Sequence, residues 1–220
     1  MTTTLRALGL ALLTALPLIA AAPARANMPA PTTMPVADGI HALTVAPEAR
    51  AGYERAKFKH WIDADKDGCN TRAEVLIEEA VTAPSVGPGC KITGGAWRSY
   101  YDDTTVTAAS GLDIDHMVPL AEAWDSGASD WTPARREAYA NDLTSPRSLV
   151  AVTAKSNRSK SDQDPAEWMP PAADAQCHYL SDWVSTKLRW RLAADPTELA
   201  ALEQDAADCD DTRVTYDPAP

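Results

Sequence analysis

Two short stretches of hydrophobic patterning predict the centre of this fold. Leu112–His116 (LDIDH) alternates apolar and polar positions, the two-residue period of a strand. That places Asp113 and Asp115 on one face and His116 on the other. Leu149–Val152 (LVAV) is a continuous apolar run preceded by Ser148, and it predicts a second strand that runs into a helix beginning near Ala154. Between them, Pro119–Trp124 predicts a helical turn. Thr132-Pro133 is an N-cap followed by a first-turn proline, which predicts a helix over Thr132–Leu143. Farther along, Leu180, Trp183, Val184 and Leu188 mark the apolar face of one helix. Asp195-Pro196-Thr197-Glu198 is a capping sequence that starts another. Upstream, Ala51, Tyr53, Ala56, Phe58 and Trp61 form a looser apolar face and predict a helix over about 47–61. Residues 91–107 predict short strands or turns, with Trp97, Tyr100 and Tyr101 in the core or a cleft wall. The expected class is α+β.

The N-terminus adds a compartment. Arg6, an apolar run over Leu8–Ala22 and the small-x-small Ala24-Arg25-Ala26 read as a signal peptide, residues 1–26. The expectation is a secreted chain that keeps no membrane segment. Residues 27–46, rich in Pro, Ala and Thr, are expected to be a disordered linker. Residues 47–210 are expected to form one domain and 211–220 a tail. Four cysteines in an exported chain imply two disulfides. Sequence alone permits three pairings, and proximity favours Cys69–Cys90 and Cys177–Cys209, the second tying a helical hairpin at 175–209.

Charge argues against the simplest nucleic-acid binder. The net charge is −11, and loss of Arg6 and Arg25 with the leader takes it to −13. Locally the balance reverses. Arg135, Arg136, Arg147, Lys155, Arg158 and Lys160 face only Glu137 and Asp142 between Ala134 and Lys160.

Asp115 beside His116 pairs a hard-cation ligand with a group that titrates near neutral pH. Asn157, on the helix after the second strand, can complete a metal site. Residues 63–74 (DADKDGCNTRAE) fit the EF-hand calcium loop. Asp63, Asp65 and Asp67 take positions 1, 3 and 5, Gly68 position 6, Thr71 position 9 and Glu74 position 12; Asn70 departs from the apolar residue usual at position 8. The alternative for this block is an acidic turn capping a helix over Thr71–Thr82. The chain has no four-ligand Cys/His zinc pattern, no Gly-rich phosphate loop and no serine-nucleophile elbow.

DIDHMVP at 113–119, LVAV at 149–152 and NRSKSDQDPAEWMP at 157–170 resemble the HNH, or ββα-metal, nuclease superfamily. Within it they are most similar to actinobacterial extracellular HNH nucleases and the C-terminal domain of GmrSD-type restriction endonucleases. The resemblance implies a ββα-metal core over about 111–171, enlarged by a helical insert and further helices and stabilised by disulfides. It implies a metal-dependent endonuclease acting on DNA, with RNA as a second substrate class, giving 5′-phosphate ends; a monomer is expected. It casts His116 as general base and Asp115 and Asn157 as ligands of Mg²⁺ or Mn²⁺. Arg158 and Lys160 become phosphate contacts and Asp113 a supporting residue. Because a similar DGC-x-TR-x-EVL block precedes the core in those nucleases, Arg72 or Glu74 becomes an active-site support in place of calcium binding. The middle asparagine of the HNH pattern is replaced by Ser148, so the expectation divides between Ser148 and Asn141 for holding the histidine loop. The competing reading is a non-catalytic secreted calcium-binding or interaction protein, built around 63–74 on a decayed HNH fold.

Overall fold

The computed structural model describes residues 30–220, so the signal-peptide expectation lies outside the described residues. The chain opens with β1 (Thr32–Pro35), α1 (Val36–His41) and β2 (Thr44–Val45). From Thr32 onward this corrects the linker expected at 27–46. Val36, Ile40 and Leu43, spaced by four and three, are buried in the main core, and β2 pairs in parallel with β9 (Ala193–Ala194). α1 lies so close to the C-terminal strand that a Cβ on Gly39 would sit 2.7 Å from Val214. The tail at 211–220 is corrected for the same reason. β10 (Arg213–Tyr216) pairs antiparallel with β1, and Ser181 Oγ donates to the Arg213 carbonyl at 2.7 Å.

The helix expected over 47–61 is absent. Gly52 takes φ +76° and Trp61 φ +59°, and the stretch holds one 3-10 turn, Arg55–Lys57. Of its apolar residues Phe58 alone is buried, with Tyr53 and Trp61 partly covered and Ala51 and Ala56 exposed. Phe58 is fully buried, its ring 6.3 Å from Trp124 and 6.1 Å from Tyr139. Next come α2 (Thr71–Glu78), which ends short of Thr82, and two antiparallel hairpins. These are β3 (Ser85–Gly87) with β4 (Lys91–Thr93), and β5 (Trp97–Ser99) with β6 (Thr104–Val106).

The central unit is β7 (Leu112–His116) and β8 (Leu149–Thr153), antiparallel, with His116 opposite Leu149 and Asp115 opposite Val150. Side-chain alternation splits the hairpin between two cores. Leu112, Ile114, Leu149 and Ala151 pack with Val75, Leu76 and Trp97. Val150 and Val152 join the larger aromatic core. Between the strands run α3 (Leu120–Asp125) and α4 (Pro133–Ala140). Thr132 caps α4, its Oγ1 accepting from Arg135 N, and the helix stops before Leu143. Thr153 both ends β8 and caps α5 (Ala154–Lys160), so strand, strand and helix follow in the expected order. α6 (Gln176–Trp190) and α7 (Pro196–Ala206) close the larger core, Asp195 capping α7.

The fold is α+β and is stapled by two disulfides, Cys69–Cys90 and Cys177–Cys209. The second spans 32 residues, so replacing both of its cysteines by serine is expected to cost about 3–4 kcal/mol by the loop-entropy relation. Thermal unfolding of oxidised wild type beside the double variant measures this. A melting temperature unchanged to within about 2 °C would contradict it.

Candidate active site

Asp115, the last residue but one of β7, is buried, and its surroundings explain how a carboxylate is kept there. Tyr101 Oη donates to Oδ2 at 2.6 Å and Lys160 Nζ at 2.5 Å. Burial pushes the carboxyl up, against the opposing pull of Lys160 and Tyr101. Both hydrogen bonds use Oδ2, which leaves Oδ1 as the acceptor a ligand would meet. Asn157 stands one turn earlier than Lys160 on α5. Its Nδ2 donates to Asp113 Oδ2 at 3.3 Å, which orients the amide and frees its oxygen.

His116 is buried, with its ring 5.4 Å from Trp61 and 6.4 Å from Tyr139. Nε2 lies 3.0 Å from the Ala140 carbonyl. A carbonyl can only accept, so Nε2 carries the hydrogen and Nδ1 is the basic nitrogen. Burial holds the imidazole pKa down at about 3, and the ring is therefore neutral at neutral pH. A pocket of about 500 Å³ brings Asp115, His116 and Asn157 together with Arg55, Arg158 and Asp162. The Arg158 side chain is 75% exposed, with Nε 3.3 Å from Asp113.

Three expectations change here. Lys160 is not a phosphate contact: it is fully buried, and Nζ also donates to the carbonyls of His116 (3.0 Å) and Met117 (2.8 Å). It fixes the turn after the histidine, and its spacing of three from Asn157 on one helix face is the sequence signal for that placement. Asn141 does not reach the histidine loop. Its oxygen accepts from Ile62 N and Thr71 Oγ1, and its nitrogen donates to the Lys59 and Glu137 carbonyls, so it clamps the 59–71 segment onto α4. Ser148 supports the loop by its backbone, Met117 N donating to its carbonyl at 3.0 Å, while its Oγ is committed to Asp142. The Ala140 carbonyl thus holds the histidine ring, while the Ser148 carbonyl and Lys160 hold the turn after it. Arg55 and Tyr101 also belong to the site's surroundings, and no sequence motif marked either one.

The profile of the GmrSD restriction endonucleases, C-terminal domain, matches residues 76–202. The chain belongs to this family. A protein of Arthroderma benhamiae described as an "uncharacterized secreted protein" is 44% identical over 164 residues, covering 74% of this chain and 79% of that relative. No solved structure matches the chain. The GmrSD match takes in Asp115, His116, Asn157 and Lys160, and begins after the acidic loop at 63–74.

That loop lies apart from the pocket. Asp63 Oδ2 accepts from Gly68 N at 3.1 Å, and Asp67 Oδ1 from Cys69 N at 2.7 Å; Gly68 takes φ +99° at the turn. The carboxylates of Asp63, Asp65 and Asp67 lie within 4.8 Å of one another. Asn70 caps α2, accepting from Ala73 N at 3.0 Å. Burial and these three aspartates raise the Glu74 carboxyl. Arg72 donates to the Ala109 and Leu112 carbonyls and so ties α2 to the start of β7.

Proposed function

We propose that this protein is a secreted, metal-dependent endonuclease that hydrolyses phosphodiester bonds of DNA, and of RNA as a second substrate class, leaving 5′-phosphate ends. The observation that carries the reading is one pocket holding a neutral histidine of fixed tautomer beside a carboxylate and a carboxamide oxygen. Nδ1 of His116 takes a proton from the attacking water. Asp115 Oδ1 and the Asn157 oxygen are hard donors suited to Mg²⁺ or Mn²⁺, and they leave room for water and phosphate oxygens. Such an ion, when bound, neutralises charge on the phosphoryl group and stabilises the leaving 3′ oxygen. Arg55 and Arg158, exposed at the pocket, hold the flanking phosphates and offset the acidic surface locally. Asp113 orients Asn157. The "secreted" in the relative's name and the sequence of residues 1–26 support export. Among the described residues no helix is long and apolar enough to cross a membrane. The chain acts as a monomer in this reading.

Plasmid cleavage by the mature chain tests it. Nicking is expected with Mg²⁺ or Mn²⁺ and none with chelator. Asp115→Ala and Asn157→Ala are expected to raise the metal concentration needed for half-maximal rate by roughly 10–100-fold. No cleavage by folded wild type under either ion would sink the proposal. The second reading, a calcium-binding protein organised by 63–74, is favoured by the three clustered aspartates of that loop.

A further inference from the structure

We propose a second cation site, distinct from the pocket and from the 63–74 loop, in which Glu48, Glu122 and Asp125 bind a hard divalent cation, with Asp164 and Asp195 adding negative charge beside Glu48. Glu122 and Asp125 are three apart on α3 and so share one helix face. Carboxylate oxygens of Glu48, Glu122 and Asp125 lie within 4.8 Å of one another, and so do those of Glu48, Asp164 and Asp195. Glu48 is common to both sets, so the two groups of carboxylates adjoin each other there.

A second observation points to a ligand. The Asp125 side chain is completely buried. Its Oδ2 pairs with Arg50 Nε at 2.5 Å, while Oδ1 has no hydrogen-bond partner. A buried carboxylate oxygen without a donor is costly, and it is the atom a hard cation seeks. Charge points the same way. Among the described residues, the cations that ion-pair with this cluster are Arg50 and Lys187, and each already serves two carboxylates. Arg50 bridges Asp125 and Asp162, and Lys187 bridges Glu122 and Glu198. Neither reaches Glu48. Asp164 and Asp195 each give one oxygen to a backbone N–H, of Ala166 and Thr197, and keep the other. Glu48 is exposed, which gives an ion a way in. An all-oxygen set drawn from a loop and a helix face suits the flexible coordination of Ca²⁺ better than the strict octahedron of Mg²⁺.

The test is thermal unfolding of the full mature chain with chelator, with Ca²⁺ and with Mg²⁺, for wild type, Glu48→Gln, Asp125→Asn, Asp115→Ala and Asp63→Asn. Stability rather than cleavage is read, so the result does not depend on the nuclease proposal. Wild type is expected to melt roughly 5–10 °C higher with cation a hundredfold above Kd. Glu48→Gln should lose most of that shift and melt slightly higher than wild type in chelator, because like charges are relieved. Asp115→Ala and Asp63→Asn should keep the shift lost in Glu48→Gln. Asp125→Asn should lose it too, and Glu48, being exposed, serves if that variant folds poorly. A shift confined to one ion identifies the cation and supports the site. A full wild-type shift in Glu48→Gln, or no shift with either ion, would overturn it.

Discussion

His116→Ala is expected to slow metal-dependent plasmid nicking by roughly 10²–10⁴-fold, the range for removal of a general base. The argument rests on tautomer and burial together. The Ala140 carbonyl holds the hydrogen on Nε2, so the neutral ring presents its lone pair at Nδ1; burial keeps that form populated at neutral pH while lowering its strength as a base. Alanine also removes a ring packed against Trp61 and Tyr139 and leaves the Ala140 carbonyl without its donor, so lost rate could reflect a disturbed loop. His116→Gln separates the two causes. Its amide can still donate to the carbonyl but offers no base, so it should lose as much rate as alanine while melting nearer to wild type. Initial nicking rates at saturating Mg²⁺, with melting curves on the same samples, decide the matter. Residual activity within tenfold of wild type in both variants would remove His116 from the proposed chemistry.

The parts of this fold that were legible in the sequence are those whose stabilisation is local. The hairpin strands at 112–116 and 149–153 follow from runs that can be buried in only one way. The caps at Thr132 and Asp195 follow from side chains that bond their own helix. Where stability comes from distant partners, the sequence misleads. Val36, Ile40 and Leu43 sit in a stretch whose Pro, Ala and Thr suggest disorder, and their partners lie at the far end of the chain. The periodic residues at 51–61 are satisfied without a helix because Phe58 and Tyr53 each reach Trp124 from an irregular loop. Lys160 shows the same limit at the site. Its charge is visible in the sequence, but the buried carboxylate and two carbonyls that receive it belong to another element. Asn141 is similar: its position before the second strand suggested the histidine loop, and its amide is saturated by segments on the other side.

Net charge and site charge pull apart in this molecule, and the fold reconciles them. Four of the acids, Asp142, Glu122, Asp125 and Glu198, are buried against Arg189, Lys187 and Arg50 and so add little to the field at the pocket. Two exposed arginines remain at the pocket itself, Arg55 and Arg158. A net charge of −11 therefore says little about the potential a phosphate meets there.

Asp142→Ala is expected to be the most destabilising single change, by about 3–5 kcal/mol. Arg189 forks onto its carboxylate, Nε to Oδ2 at 2.7 Å and Nη2 to Oδ1 at 3.0 Å. Trp190 Nε1, Ser148 Oγ and Thr144 Oγ1 donate to the same group. Burial alone would raise this carboxyl; Arg189, Ser148 and Thr144 outweigh it and hold the pKa below 3.8. Truncation strands the Arg189 guanidinium, 5% exposed, without a counter-charge. The melting temperature should fall by roughly 6–20 °C at pH 7. A folded pKa below the unfolded one means that this contribution is present above pH 3.8 and is lost as pH falls through the folded value. The gap between wild type and variant should therefore narrow on acidification below that point. Ser148 immediately precedes β8 and its carbonyl holds Met117, so the variant should also lose nicking rate at temperatures where it remains folded. A melting temperature within about 3 °C of wild type at pH 7 would mean that the Arg189–Asp142 pair is replaceable, and that the turn after His116 is held from the Lys160 side alone.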